Sequence, residues 1–251
     1  MTTSQPTVCA YCGTDQGLFQ AEHVIPRCLW EADRPGHMLT VPACGPCNHG
    51  YGRDEEYFRT VLVALTGQGS HPQVNQLLGG KVRRALKRNP RLREDMTRNV
   101  RPMPRRSPGG LFAGVRLGFE LDVKRFYRGV EKTVRGLFAY KSGRPLAPST
   151  AVRIYEGNGF WETPGFQSLL EEMSEPAGVG DDVFSCRCAR YSVDPEWSAW
   201  LLIYYQTQGF FAWTEPLGSS HEIAGEDTGI RDRGIASRLA TNSNIVDPEG
   251  S

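Results

Sequence analysis

The segment CGPCNHG, residues 44–50, holds two cysteines separated by two residues, and CAYC at 9–12 repeats that spacing. A two-residue gap lets both thiolates of a pair bind one metal ion, and Zn²⁺ accepts four sulfurs tetrahedrally at about 2.3 Å. Two unrelated pairs of buried thiols are the alternative interpretation. We predict a structural zinc site whose ligands are the four paired cysteines: Cys9, Cys12, Cys44 and Cys47.

The composition of the 251-residue chain is that of an ordinary globular protein, with 39% hydrophobic and 23% charged residues. No apolar run reaches the roughly 18 residues of a membrane span. The opening MTTSQPTVCAYC lacks the basic start and apolar stretch of a signal peptide. We therefore expect a cytoplasmic protein without a membrane partner, and reducing conditions there favour metal binding over disulfides.

Positive charge is concentrated in one segment although the chain as a whole carries only +1. Residues 81–106 contain eleven Lys or Arg and two acids, a net of +9. Such density is typical of phosphate binding, while a solvated helix face followed by a flexible connector is the alternative. We expect DNA as the partner, with RNA, a homodimer or a protein partner left open. The candidate nucleic-acid contacts are Arg53, Lys81, Arg83, Arg84, Lys87, Arg88 and Arg91.

The first half of the chain predicts two short strands, a helix and a second, basic helix. The strands are LFQAEHV at 18–24 and HMLTVPA at 37–43. The first helix covers RDEEYFRTVLVALTG at 53–67, with a start anywhere between Asn48 and Asp54. The second helix is expected at 73–88. Prolines and glycines at 102–110 then predict a linker.

The second half predicts a strand in GVRLGFELD, an amphipathic helix over 122–143 and further strands up to residue 215. The last two strands, AWLLIYY and FFAWTE, are expected to form a hairpin around QTQG. The helix turns its apolar side inward through Phe126, Val130, Val134 and Leu137. Its other face, solvated or bound to nucleic acid, comprises Arg125, Arg128, Lys132 and Arg135.

These elements predict an α+β protein divided into four segments. They are a zinc-stapled unit at 1–70, a basic helical linker at 71–110, an antiparallel α+β domain at 111–217 and a polar tail at 218–251. Cys28 is expected to be a core thiol, and Cys186 and Cys188 to face one side of a strand as core cysteines. His71 and His221 are expected to be surface histidines.

Together CAYC, EHVIP and CGPCNHG, in that order, resemble the HNH endonucleases, the ββα-metal nucleases. The resemblance covers residues 9 to about 65, and residues 115–215 are similar to a companion domain found behind such modules. It implies that His23 is the general base. It also implies that Glu22, in place of the more usual aspartate, and Asn48 hold a catalytic Mg²⁺ or Mn²⁺ ion. A role in phage defence or in a mobile element is a further implication.

The chemistry of phosphodiester hydrolysis agrees with these residue types. A histidine with a pKa near 6.5 can accept a proton from water at neutral pH. A carboxylate and an amide oxygen are ligands that hard divalent ions prefer. Because neighbouring side chains of a strand alternate, convergence of Glu22 and His23 requires the strand to end or twist, and Pro26 helps to terminate it.

The sequence departs from the HNH pattern at the middle Asn, since GHMLTVPAC contains none. Thr40 or His37 could replace it. Two acids, Glu55 and Glu56, follow Asn48 in the sequence. One of them could complete the metal site, or both could belong only to a charged first helical turn. The predicted activity is metal-dependent cleavage of DNA. The alternatives are a zinc ribbon that binds nucleic acid without cutting it, and a structural or regulatory protein.

Overall fold

The computed structural model describes residues 7–32, 34–106, 110–156, 164–180, 182–191, 194, 196–216 and 245–246. It confirms a mixed α+β fold of helices and antiparallel sheets. The helices are α1 Gly45–Thr66, α2 Pro72–Leu77, α3 Arg83–Arg88, α4 Pro90–Thr97, α5 Val123–Ser142 and α6 Pro164–Glu172. The strands are β1 Phe19–His23, β2 Thr40–Cys44, β3 Arg101–Arg106, β4 Phe112–Gly118, β5 Ala151–Glu156, β6 Ala177–Val179, β7 Phe184–Tyr191, β8 Ser198–Tyr204, β9 Gln208–Glu215 and β10 Ile245–Val246.

The N-terminal unit is an antiparallel pair, β1 with β2, followed directly by α1. The helix begins at Gly45, earlier than the sequence predicts, because Cys44 is still extended and Pro46 suits the first helical turn, where no N–H bond is lost. It ends as predicted at Gly67, which has φ +82° and donates its N–H to Val63 O at 3.0 Å. Helical spacing predicts that one face of α1 packs inward through Tyr57, Phe58, Val61, Leu62 and Leu65, and all of these but Leu65 are buried.

The predicted basic helix is present as a continuous helical run from α2 through α3. A π-helical turn, Leu78–Val82, joins the two helices, with a kink at Gly80 where φ and ψ are both −105°. A separate helix, α4, follows. The Asn89 side chain caps α4 by accepting the Leu92 N–H at 3.1 Å, and Pro90 takes the position where a proline is tolerated.

The prediction of a linker around Pro102 and Pro104 is wrong for 101–106, because these residues form β3 and pair with β4 in a two-stranded ribbon. Prolines two residues apart point the same way along a strand. Their missing N–H groups can therefore lie on the outer edge, where no ladder bond is lost. Leu117 and Phe112 are exposed on this ribbon.

The second half contains a six-stranded antiparallel sheet in the order β10-β7-β8-β9-β5, with β6 paired to β7. The predicted strands and the β8–β9 hairpin are confirmed. The helix α5 is confirmed as well, with Asp122 capping its N-terminus and Gly143 at φ +68° ending it. The apolar residues predicted to face inward on α5 are buried, and so are Cys186 and Cys188.

One hydrophobic cluster contains buried residues from both halves, from Cys9 through Phe58 and Phe126 to Ala212. Helices α1 and α5 touch at Gly129, where an added Cβ would lie 2.5 Å from the Phe58 ring. The N-terminal unit and the sheet thus share a core. The segment boundaries proposed from the sequence stay a prediction.

Two expectations about polar residues are wrong. His71 is buried rather than exposed, and its ring accepts the Gln73 N–H at 3.1 Å as the cap of α2. On α5, Lys132 and Arg135 are buried rather than solvated or free to contact nucleic acid. The reason is that α5 lies between α1 and the sheet, so even part of its polar face is covered.

Cys28 is partly buried, and burial raises the pKa of its thiol to about 12, as expected of a core cysteine. His221 and most of the predicted tail lie outside the described residues. From that tail the structure describes Ile245–Val246, which pair with β7. No described helix combines the length and the apolar character needed to cross a membrane.

Candidate functional site

The four paired cysteines converge on one point at the start of α1. Their sulfur atoms all lie within 4.8 Å of one another, and Cys12 Sγ is 3.7 Å from Cys44 Sγ. Four sulfurs placed tetrahedrally about zinc at about 2.3 Å would be separated by roughly 3.8 Å. The donor set and its spacing therefore fit a structural zinc ion, as the sequence predicts.

Backbone hydrogen bonds fix the first cysteine pair against the hairpin. The Ala10 N–H donates to Pro42 O at 2.8 Å, and the Cys44 N–H donates to Cys9 Sγ at 3.4 Å. Burial alone would raise the pKa of the Cys9 thiol, but N–H donors from Cys44, Cys12 and Tyr11 lower it to about 7. The thiolate form that binds metal is thereby favoured near neutral pH.

The hairpin register separates the two residues of the EH pair. Glu22 lies opposite Val41, which is buried, whereas His23 lies opposite Thr40, which is exposed. Adjacent side chains of a strand point to opposite faces, so Glu22 is directed toward the helices and His23 toward the outer side of the hairpin. The strand ends at His23, one residue before the end of the predicted 18–24 strand, and the expected convergence of Glu22 and His23 on one site is wrong, because their side chains point to opposite faces.

Glu22 is engaged by a lysine from the second half of the chain. The Lys132 ammonium of α5 donates to Glu22 Oε1 and to Glu55 Oε1 of α1. The Lys132 side chain is 0% exposed, against 14% for Glu22 and 20% for Glu55. Its nitrogen also lies 5.6 Å from the centroid of the Tyr51 ring. From the sequence, Lys132 was expected on a solvated or nucleic-acid-binding face, because it shares helical spacing with Arg128 and Arg135, and its pairing with Glu22 and Glu55 was not predicted.

This arrangement does not fit a divalent ion held by Glu22. An ammonium bonded to two carboxylates already supplies the positive charge between them, and a metal ion would have to displace it. Asn48 lies near the start of α1, and its Nδ2 donates at 2.5 Å to the Oε1 of Gln20, two residues before Glu22 on β1. Of the acids considered as further ligands, Glu55 shares Lys132, and Glu56 accepts from Arg88 at 3.0 Å and from Asn89 at 3.1 Å.

His23 is half-buried, and its Nδ1 is buried without a hydrogen-bond partner among the described residues. Burial lowers the pKa of His23, and the positive charge of Arg27 lowers it further. The imidazole is therefore neutral at pH 7, the form that can accept a proton. Within the described part of the chain, no side-chain hydrogen bond of Thr40 or His37 replaces the middle Asn, although Thr40 lies directly opposite His23.

Two exposed arginines, Arg27 and Arg34, are close enough to His23 for their charges to lower its pKa. Arg27 begins a short 3₁₀ turn after Pro26, and Arg34 lies in the loop that leads to β2. Neither was predicted as a site residue. Both lie in the loop between β1 and β2.

The seven basic residues proposed to contact nucleic acid have different surroundings. The Lys81 ammonium donates to Trp30 O, Arg84 pairs with Glu31, and Arg88 pairs with Glu56. Three others are exposed and form no ion pair among the described residues: Arg83, Lys87 and Arg91. The side chain of Arg53 lies outside the described part of the chain.

No protein-family model, curated protein or solved structure matches this chain. The site must therefore be interpreted from its own geometry.

Proposed function

We propose that this protein is a nuclease of the HNH type, a phosphodiester hydrolase that acts on DNA and uses His23 as its general base. The observation that carries the proposal is the His23 imidazole at the end of β1, whose Nδ1 is buried without a partner among the described residues, with Arg27 and Arg34 close enough to act on its charge. The antiparallel hairpin followed by α1 and the cysteine cluster support it, since they agree with the ββα order of the resemblance.

In the proposed reaction a phosphodiester lies against the outer side of the hairpin. His23 accepts a proton from a water molecule, and the hydroxide oxygen forms a bond to phosphorus as the opposite P–O bond breaks. The leaving alkoxide takes a proton from solvent. Arg27 and Arg34 neutralise charge on the phosphate oxygens, where the transition state is most negative. The Mg²⁺ or Mn²⁺ ion of the resemblance supplies no step here, because Lys132 already binds Glu22.

In this proposal the exposed cations Arg83, Lys87 and Arg91 bind further phosphates of the DNA backbone. Each phosphate that they neutralise releases counterions, so affinity for DNA would fall steeply as the salt concentration rises. The zinc ion takes no part in the proposed reaction. It holds Cys9 and Cys44 together and thereby orients the hairpin and α1.

Plasmid cleavage by zinc-loaded wild type, His23→Ala and His37→Ala tests the proposal. The assay is run with added Mg²⁺, with added Mn²⁺ and with neither. We expect conversion of supercoiled plasmid by wild type and by the His37 variant, and a loss of at least about 100-fold in His23→Ala, the usual contribution of a general base. Equal rates in wild type and His23→Ala would rule out the assigned base.

A zinc ribbon that binds nucleic acid without cutting it is the second candidate. The ion pair between Lys132 and Glu22 favours this candidate, since the Glu22 carboxylate is then unavailable to a catalytic metal ion. Absence of cleavage in every buffer, together with salt-dependent DNA binding that is equal in wild type and His23→Ala, would establish this alternative.

A further inference from the structure

The resemblance to HNH nucleases places a divalent ion where this chain has an ammonium. We propose that Lys132 is the resident cation of the Glu22–Glu55 site and that it excludes divalent ions from Glu22. The inference concerns cation binding alone, so it holds whether or not the protein cleaves DNA.

The contacts of Lys132 engage two of the three N–H donors of its ammonium group. An ammonium has three N–H donors, and Glu22 and Glu55 accept two of them. The face of the Tyr51 ring, with its centroid 5.6 Å from the nitrogen, provides a favourable environment for the positive charge. A side chain with 0% exposure keeps its charge only when it is paired in this way.

The location of Lys132 makes exchange for a metal ion unfavourable. The residue lies in the middle of α5, which is buried between α1 and the sheet, so the displaced ammonium could not reach water without the helix moving. A divalent ion at Glu22 would therefore leave a buried, unpaired positive charge beside it. Such a charge is strongly unfavourable.

The test is a Mn²⁺ titration of the full-length, zinc-loaded protein. Binding is measured by calorimetry and by the decrease in the electron paramagnetic resonance signal of free Mn²⁺. Lys132→Met keeps the length of the side chain and removes its charge. We expect it to bind one Mn²⁺ ion at least tenfold more tightly than wild type. Lys132→Arg, which keeps the charge, should show no gain.

The double variant Lys132→Met, Glu22→Gln locates the new site and should lose the gained affinity. Equal Mn²⁺ affinity in wild type and Lys132→Met would overturn the proposal. A gain that persists after Glu22→Gln would overturn it too, because the ion would then lie elsewhere.

If Lys132→Met does not fold, the proposal can be tested on the wild type alone. The side-chain ammonium of a buried, paired lysine can be followed by nuclear magnetic resonance, and bound Mn²⁺ broadens nearby signals. We expect the Lys132 signal to persist with Mn²⁺ in several-fold molar excess. Its loss at an equimolar amount would overturn the proposal.

Discussion

His23 owes its chemical character to the residues that surround it. Its Nδ1 is buried without a partner, and Arg27 adds positive charge nearby. Both effects disfavour the imidazolium form, while the negative charge of Glu22 opposes them. The net result is a pKa below the usual 6.5. A lowered pKa favours the neutral imidazole at pH 7.

The pKa of His23 can be measured directly by proton nuclear magnetic resonance titration, with His23→Gln used to assign its signal. We expect a midpoint below 6.5 in wild type and a higher one in Arg27→Ala, which removes the nearby positive charge. Because the folded pKa is lowered, the contribution of His23 to stability is fully present above pH 6.5 and declines as pH falls toward the folded value. An unchanged midpoint in Arg27→Ala would contradict this explanation.

Helices α1 and α5 are joined by a close approach and by ion pairs. Gly129 allows the approach, since a Cβ there would lie 2.5 Å from the ring of Phe58. Beside it, Asp54 of α1 accepts from Arg125 at 3.0 Å and from Arg128 at 2.8 Å. This contact holds Lys132 against Glu22, so the helix pair determines the geometry of the site.

Gly129→Ala should destabilise the protein by about 1–3 kcal/mol, the usual cost of overpacking a filled core. Phe58 cannot easily move aside, because Phe126 and Tyr204 lie against its ring at 5.3 and 5.6 Å. The measurement is the free energy of unfolding in urea.

The matched control for that experiment is Gly52→Ala, in α1, where an added Cβ meets nothing within 4 Å. There the substitution should stabilise by roughly 0.5–1 kcal/mol, since alanine loses less entropy than glycine in a helix. Equal effects of the two variants would show that the helices do not touch at Gly129.

The cysteine cluster is continuous with the main core, since Cys9 and Cys44 belong to the same buried cluster as Val61 of α1 and Phe210 of the sheet. Loss of the metal should therefore lower the stability of the whole molecule and not only that of the segment around the cysteines. Structural zinc contributes folding free energy directly.

We expect one zinc ion per chain by metal analysis, and loss of it in Cys47→Ser. The variant should melt at least about 5 °C lower than wild type, which for this length corresponds to roughly 2 kcal/mol. Cys186→Ala, at a buried cysteine outside the cluster, should retain its zinc. A zinc-free wild type that melts at the same temperature as the zinc-loaded protein would refute the structural role.

Local patterns were enough to predict several features of the fold. The C-x2-C spacing predicted the cysteine cluster, and apolar periodicity predicted α5 and its inward face, with Phe126 and Val130 as examples. The alternation of side chains along the strands predicted the β8–β9 hairpin and the burial of Cys186. These predictions succeed because turn chemistry and side-chain period are properties of neighbouring residues.

The tertiary structure decided the partners of the charged residues. Lys132 lies 110 positions from Glu22 in the chain, and no local pattern connects them. The charge of Arg34 acts on His23 from further along the β1–β2 loop, and His71 is buried beside Tyr205, with the two ring centroids 5.4 Å apart. Charge pairing and burial depend on contacts between distant segments. The sequence therefore determined most of the elements and the four clustered cysteines, whereas the packing of α5 on α1 placed the Lys132 ammonium between Glu22 and Glu55.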